Sequence, residues 1–252
     1  MSRCEIRLLG TGTAFQQDGR GAQCILITEP SGELVAVDVG PTSAAAATRY
    51  GAPLARMRHL FITHLHGDHI AGWPFVALQM IFLEKRTAPL DIWGPPGVQE
   101  RLEGLLRLCY PKIAGDQAAR LPISYHEIEV GRRDVLAAGE ICFDTFPMEH
   151  DASSIGFGLR VGSGYLGISG DTEWCSGLEE LARRSDLLLV ECTTLEKSDY
   201  RHLSLEEIRD HRVELPEGKW VLVHIPDAVA VALAADPISG VISASDGMRI
   251  QL

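Results

Sequence analysis

The sequence has no C-x-x-C pair. Its six cysteines, Cys4, Cys24, Cys109, Cys142, Cys175 and Cys192, are scattered along 252 residues. A chain of this length buries enough surface to fold without disulfides, so the scatter reads as a reduced, cytosolic protein with small buried thiols. Positive charge is in short supply: Lys plus Arg number 23 against 34 Asp plus Glu, a formal net charge of −11. That balance argues against a protein that coats nucleic acid, which needs a basic surface. It leaves room for a small phosphate ester held by bound cations, whose charge dominates a local field. Long apolar runs are missing too. The stretch from Trp73 to Leu83 falls well below the roughly 20 residues of a membrane-spanning helix. The opening Met1-Ser2-Arg3-Cys4-Glu5-Ile6-Arg7 carries charge where a signal peptide has its apolar region. No Pro/Gly/Ser-rich linker or low-complexity segment divides the chain. The expectation is one cytoplasmic α/β domain over residues 1–252 with no membrane contact.

Short aliphatic and β-branched runs recur: Glu5–Leu9, Cys24–Thr28, Leu34–Asp38, His59–Thr63, Leu90–Trp93, Ile141–Phe146, Tyr165–Ser169, Leu187–Glu191 and Lys219–His224. Each is bounded by Gly, Pro, Asp or Ser, as strands are. Helices are expected over Ala71–Lys85, with Pro74 at a tolerated early position, and over the amphipathic Val98–Leu108 and Gly177–Arg184. Another is expected over Ser204–His211, which opens on a Ser-Leu-Glu-Glu capping pattern. A faint internal echo accompanies them. HLFITHLH (59–66) and WVLVHIPD (220–227) each run a strand into a histidine, and VAVDVG (35–40) and LGISGD (166–171) each run one into an acid beside glycine. Two similar halves delivering polar groups from strand ends suggest a site along one shared edge.

The sharpest chemical signal is Thr63-His64-Leu65-His66-Gly67-Asp68-His69. In an extended segment residues two apart point the same way, so His64 and His66 converge on one cation. Asp68 and His69 are neighbours and diverge, which suits a second cation beside the first. Gly67 allows whatever unusual backbone so crowded a loop needs.

This H-x-H-x-D-H string after an apolar strand resembles the signature of the metallo-β-lactamase superfamily, and the resemblance runs through nearly the whole chain. Asp38-Val39-Gly40 matches the acidic glycine turn upstream of the signature. His150 matches the isolated histidine, Gly170-Asp171-Thr172 the bridging aspartate, and His224 the closing histidine. The resemblance implies an αββα sandwich with a metal centre at its edge, holding two divalent metal ions. His64, His66 and His150 would bind one and Asp68, His69 and His224 the other, with Asp171 bridging. Asp68 would also orient the attacking hydroxide. A histidine and carboxylate set without cysteine fits zinc, and manganese or iron can occupy it as well.

Further motifs resemble the ribonuclease Z-like branch, which includes cyclic-phosphate phosphodiesterases. Leu9-Gly10-Thr11-Gly12-Thr13 looks like its opening, Glu191-Cys192-Thr193 like its Glu-Ala-Thr motif, and Arg201-His202-Leu203-Ser204 like its His-Ser-Thr motif. The likeness implies that Glu191 holds His202, which assists the leaving group at phosphorus. The chain departs from ribonuclease Z in one telling respect. Only 20 residues separate His150 from Asp171, so the long basic arm that grips tRNA is absent, as is the Pro-x-Lys-x-Arg-Asn segment. The compact spacing and Ser245-Asp246-Gly247-Met248 look more like the phosphodiesterase of the phosphonate carbon–phosphorus lyase pathway and the B protein of pyrroloquinoline quinone biosynthesis. The expected activity is therefore hydrolysis of a small or cyclic phosphodiester and not of tRNA, and a homodimer is compatible with it. A lactonase or thioesterase would use the same metal set. A metal-binding carrier or scaffold of cofactor biosynthesis is the alternative from outside enzymes. His59, His126 and His211 match no motif and read as structural or exposed. Trp73–Leu83 reads as a core helix, with Trp73 and Phe75 near enough to the metal loop to line its mouth.

Overall fold

A computed structural model describes residues 4–129, 136–138, 141–215 and 218–252. The first half runs β1 (Glu5–Gly10), β2 (Cys24–Thr28), β3 (Leu34–Val37), α1 (Ser43–Arg49), β4 (His59–Phe61), α2 (Gly67–Ile70), α3 (Trp73–Leu78), β5 (Leu90–Gly94), α4 (Val98–Cys109), α5 (Pro111–Arg120) and β6 (Ile123–Glu127). The second runs β7 (Leu136–Ala138), β8 (Ile141–Pro147), β9 (Ile155–Val161), β10 (Gly164–Ile168), α6 (Ser176–Arg184), β11 (Leu187–Glu191), α7 (Leu205–Arg212), β12 (Lys219–Val223), α8 (Asp227–Ala235), β13 (Val241–Ser243) and β14 (Arg249–Gln251).

The strands form two seven-stranded sheets, ordered β14-β1-β2-β3-β4-β5-β6 and β13-β12-β11-β10-β9-β8-β7. Each is antiparallel up to one strand and parallel beyond it. The switch falls at β3 in the first sheet and at β10 in the second. Parallel strands need cover on both faces, and their sequences comply: β11 (LLLVE) is buried at every position. Between the sheets lies an apolar layer centred on Phe61, Phe143 and Phe157 in edge-to-face contact. Trp73, Val76, Leu102 and Leu106 from the helices pack on the outer face of the first sheet. Leu178, Leu181, Ile208 and Val229 cover the second. The result is the αββα sandwich.

Most expected elements appear within a residue or two of their sequence bounds. The helix expected over Ala71–Lys85 is shorter and composite: α3 ends at Leu78 and a wider π-type turn follows over Gln79–Leu83. Ala71 belongs to the preceding turn, its N–H bonded to the Gly67 carbonyl. The echo is half right. VAVDVG and LGISGD do occupy equivalent places, each leaving its sheet's switch strand. HLFITHLH and WVLVHIPD do not, because β4 adjoins β3 whereas β12 stands two strands from β10. The place equivalent to the end of β4 is the end of β11, where Glu191 lies. No helix among the described residues is long and apolar enough to cross a membrane.

Candidate metal centre

The C-terminal ends of β3, β4, β10, β11 and β12 meet along one edge, where open α/β sheets expose their site-forming loops. Asp38 follows β3 in the left-handed conformation (φ 57°). Its carboxylate accepts from the Thr63 N–H (2.9 Å), the Thr63 hydroxyl (2.8 Å) and His69 Nδ1 (2.7 Å). That bond fixes the His69 tautomer and leaves Nε2 facing the centre. Gly40, just beyond, lies against the backbone carbonyl of Asp68 so closely that no Cβ fits. The expectation for Gly67 is not met, since it sits in α2 without positive φ. The backbone is strained instead at Asp38 and His224 (φ 52°).

All seven expected ligand residues converge. His64, His66 and His150 form one group whose ligand atoms lie within 4.8 Å of one another; Asp68, His69, Asp171 and His224 form a second on the same criterion. Asp171 stands between them. Its Oδ2 is 3.8 Å from His64 Nε2, 4.0 Å from His150 Nε2 and 3.6 Å from His224 Nε2, while its Oδ1 is 3.3 Å from His69 Nε2. Asp68 Oδ2 lies 3.1 Å from His224 Nε2 and 3.4 Å from His69 Nε2.

Burial and charge act strongly here. Desolvation holds the His64 ring well below the ordinary histidine range, reinforced by the neighbouring His69. Burial also opposes charge on His69, but Asp171 and Asp38 together overcome it and push that ring well above its ordinary value. Burial favours neutral Asp68 and Asp171. The histidines around them win, and both carboxyls stay ionised far below the usual carboxylate range.

The donor set fits divalent cations. His64 Nε2, His69 Nε2 and Asp171 Oδ1 are buried atoms with no hydrogen-bond partner, an arrangement that costs free energy unless something fills it. Each points into the same few ångströms. The other ring nitrogens are engaged outward, as in metal-binding histidines: His69 Nδ1 to Asp38, His150 Nδ1–H to the Arg201 carbonyl (2.9 Å) and His224 Nδ1 to the Thr193 hydroxyl (3.0 Å). His66 is the most exposed of the set, and its Nε2 faces the Asp151 carboxylate at 3.7 Å.

Glu191 does more than sequence reasoning gave it. It is 1% exposed, and its Oε1 accepts both His202 Nδ1 (2.8 Å) and the Thr172 N–H (2.7 Å), fixing the turn that carries Asp171. Its Oε2 accepts the Thr193 hydroxyl (2.8 Å), and Thr193 in turn meets His224. Burial works against protonating His202, but the hydrogen bond and charge of Glu191 prevail and raise its pKa to about 9. The chain then enters α7 through Ser204, whose hydroxyl caps the Glu207 N–H (3.1 Å) while the Glu207 carboxylate returns to the Ser204 N–H. This is the capping box read from the sequence.

Asp38, Thr63, Asp151 and Thr193 were not among the expected site residues. Asp38, Thr63 and Thr193 lie inside motifs already noted and Asp151 directly follows His150, but only the folded geometry gives them work. Trp73 is wholly buried in the core and does not line the mouth, whereas Phe75 is half exposed. His59 is buried against Glu33 (2.8 Å). His126 stacks on Trp93 and His211 on Trp174. Asp246 clamps the Gly-Thr-Gly-Thr turn by accepting from the Thr11 N–H and hydroxyl and the Gly21 N–H.

The profile of the family described as anti-Pycsar protein Apyc1 matches residues 4–242. The chain belongs to that family. Its sequence is also similar to ribonuclease Z of Mycobacterium marinum, at 28% identity over 273 residues covering 98% of this chain and 95% of the relative. Among solved structures, human tRNase Z, short form (ELAC1), superposes with a TM-score of 0.78 at 23% identity, covering 98% of each chain. A diphosphatase of the PhnP family gives 0.76 at 20% identity, covering 99% of this chain and 98% of that one. These likenesses make this member of the Apyc1 family a ribonuclease Z-like hydrolase of the metallo-β-lactamase fold.

Proposed function

We propose that this chain, acting as one domain, is a metal-dependent phosphodiesterase for a small or cyclic phosphodiester. The observation that carries the reading is the Glu191–His202 pair (2.8 Å), with His202 Nδ1 3.9 Å from Asp171 Oδ2 at the rim of the histidine and aspartate cluster. His64, His66 and His150 would hold one divalent cation, and Asp68, His69 and His224 a second, with Asp171 shared. Zinc is the cation that this histidine and carboxylate set fits best. Such ions, when bound, lower the pKa of coordinated water and neutralise charge at phosphoryl oxygens. Asp68 accepts a hydrogen bond from the attacking water and keeps it aimed at phosphorus. His202, protonated through Glu191, gives its Nε2 proton to the departing oxygen. Glu191 fixes the ring.

The ribonuclease Z relatives bear on the reaction class, and the departure from them bears on the substrate. The span between His150 and Asp171 holds only β9, a Gly-Ser-Gly turn and β10, and the chain is strongly acidic. Both features favour a small substrate over tRNA. The test is a panel of bis-aryl phosphodiesters, cyclic nucleotides, lactones and glutathione thioesters on zinc-reconstituted protein. Phosphodiesters are expected to turn over fastest. Faster hydrolysis of lactones or thioesters would overturn the reaction class, and no turnover with full metal loading would favour a carrier.

A further inference from the structure

Arg201 takes the left-handed conformation, φ 56°, which a residue with a Cβ disfavours. In this conformation its carbonyl accepts the His150 Nδ1–H at 2.9 Å, and its guanidinium Nη1 donates back to the His150 carbonyl at 3.1 Å. The two residues stand 51 positions apart, so the reciprocal bonds tie the loop after β8 to the loop before α7. A strained backbone of this kind persists only where its surroundings hold it, and the guanidinium bond does so here. The same peptide leads into His202, whose ring is fixed on the far side by Glu191.

We propose that Arg201 is a positioning residue that couples the His64/His66/His150 group to His202. Its guanidinium holds residue 201 left-handed, the carbonyl then fixes His150 as the Nδ1–H tautomer, and His150 Nε2 is left facing His66 Nδ1 at 3.1 Å. The inference rests on the reading that His150 ligates a cation and that His202 is the acid. Coupling of this sort is reciprocal. A cation in that group steadies the 201–202 peptide, and a steady peptide raises the affinity for the cation. Replacing Arg201 therefore weakens one cation site and loosens His202 together, although the guanidinium touches neither a cation nor substrate.

The experiment is zinc titration by calorimetry in competition with a chelator, with long-range proton–nitrogen NMR of the histidine rings, on wild type, Arg201→Ala and Arg201→Gly. Arg201→Ala is expected to lower the affinity of one zinc about 10- to 100-fold, the range for losing an outer-shell partner, and to leave the other unchanged. The His150 Nδ1–H signal should broaden or move. Arg201→Gly loses the guanidinium but also the Cβ, and left-handed backbone is no strain for glycine, so its affinity should fall less than that of the alanine variant. Both variants binding two zincs with wild-type constants and an unaltered His150 signal would overturn the coupling while leaving the metal centre standing. Wild-type protein that takes up no zinc would overturn the cation reading and this inference with it.

Discussion

Asp38 and Asp171 hold equivalent places in the two sheets, each just beyond the strand at which antiparallel pairing gives way to parallel. Both are buried, and both touch His69. Asp38 meets it at Nδ1 and also takes two donors from Thr63, so its oxygens are occupied by the protein. Asp171 meets Nε2 of the same ring, and its Oδ1 has no hydrogen-bond donor. The same residue type at the same topological place thus has two duties, decided by whether backbone and hydroxyl donors reach it. On the proposed reading, one aspartate orients a ligand and the other is itself a ligand.

The neighbouring strand ends differ in the same way. After β4 the first sheet delivers a continuous loop, Thr63 to His69, that supplies four ligand candidates at once. After β11 the second sheet delivers Glu191, a carboxylate whose three hydrogen bonds organise the Asp171 turn, His202 and Thr193. The first half concentrates ligand candidates; the second supplies single candidates and the group that orders them.

Substitutions can sharpen this contrast. The largest effect is expected for Asp171→Ala, which removes the residue proposed to touch both cations. Metal analysis should fall from about two ions per chain to below one, with turnover lost. Full loading in that variant would break the proposed bridging role. Asp38→Asn keeps shape but weakens the hold on His69 Nδ1, and should lower zinc affinity by about 10- to 100-fold in a chelator competition. If Asp38→Asn matched Asp171→Ala, the distinction between orienting and ligating aspartates would fail. Thr63→Ala removes one of three donors to Asp38. It should cost about 1 kcal/mol in chemical denaturation and shift zinc affinity less than Asp38→Asn does.

A pH profile separates Glu191 from the ligands. The proposed function makes His202 the proton donor, and its pKa is raised to about 9, so turnover of esters with poor leaving groups should hold up to that pH and fall above it. Glu191→Gln should bring the alkaline limb down towards the ordinary histidine value of roughly 6.5. A limb that stays in place would assign the titration to another group.

The sequence made the fold readable because apolar runs bounded by turn residues mark strands, and because the H-x-H-x-D-H loop is dense enough to be recognised alone. That loop holds four of the seven ligand candidates; His150, Asp171 and His224 could be named only through the resemblance to the metallo-β-lactamase superfamily, His224 standing 160 positions beyond His64. The ordering residues could not. Thr193 closes the Glu191-Cys192-Thr193 motif and Asp151 follows His150, but neither has a visible task until β11, β12 and the loop after β8 bring them beside His224 and His66. Likewise Arg201 looks like a solvated charge until its φ and its bonds to His150 are seen. α1, α5 and α8 were missed because their sequences are alanine-rich or weakly patterned. The π-type turn after α3 has no local signature in an otherwise helical run.

The most direct test of the account is the leaving-group dependence of His202→Ala. Metal content should be unchanged. Turnover of phosphodiesters that release an alkoxide should fall by about 10²- to 10⁴-fold, the range for a positioned acid. Release of p-nitrophenolate, which departs without a proton, should change little. Equal losses for both leaving groups, or loss of metal with the ring, would contradict the assignment of His202 as the acid that Glu191 holds.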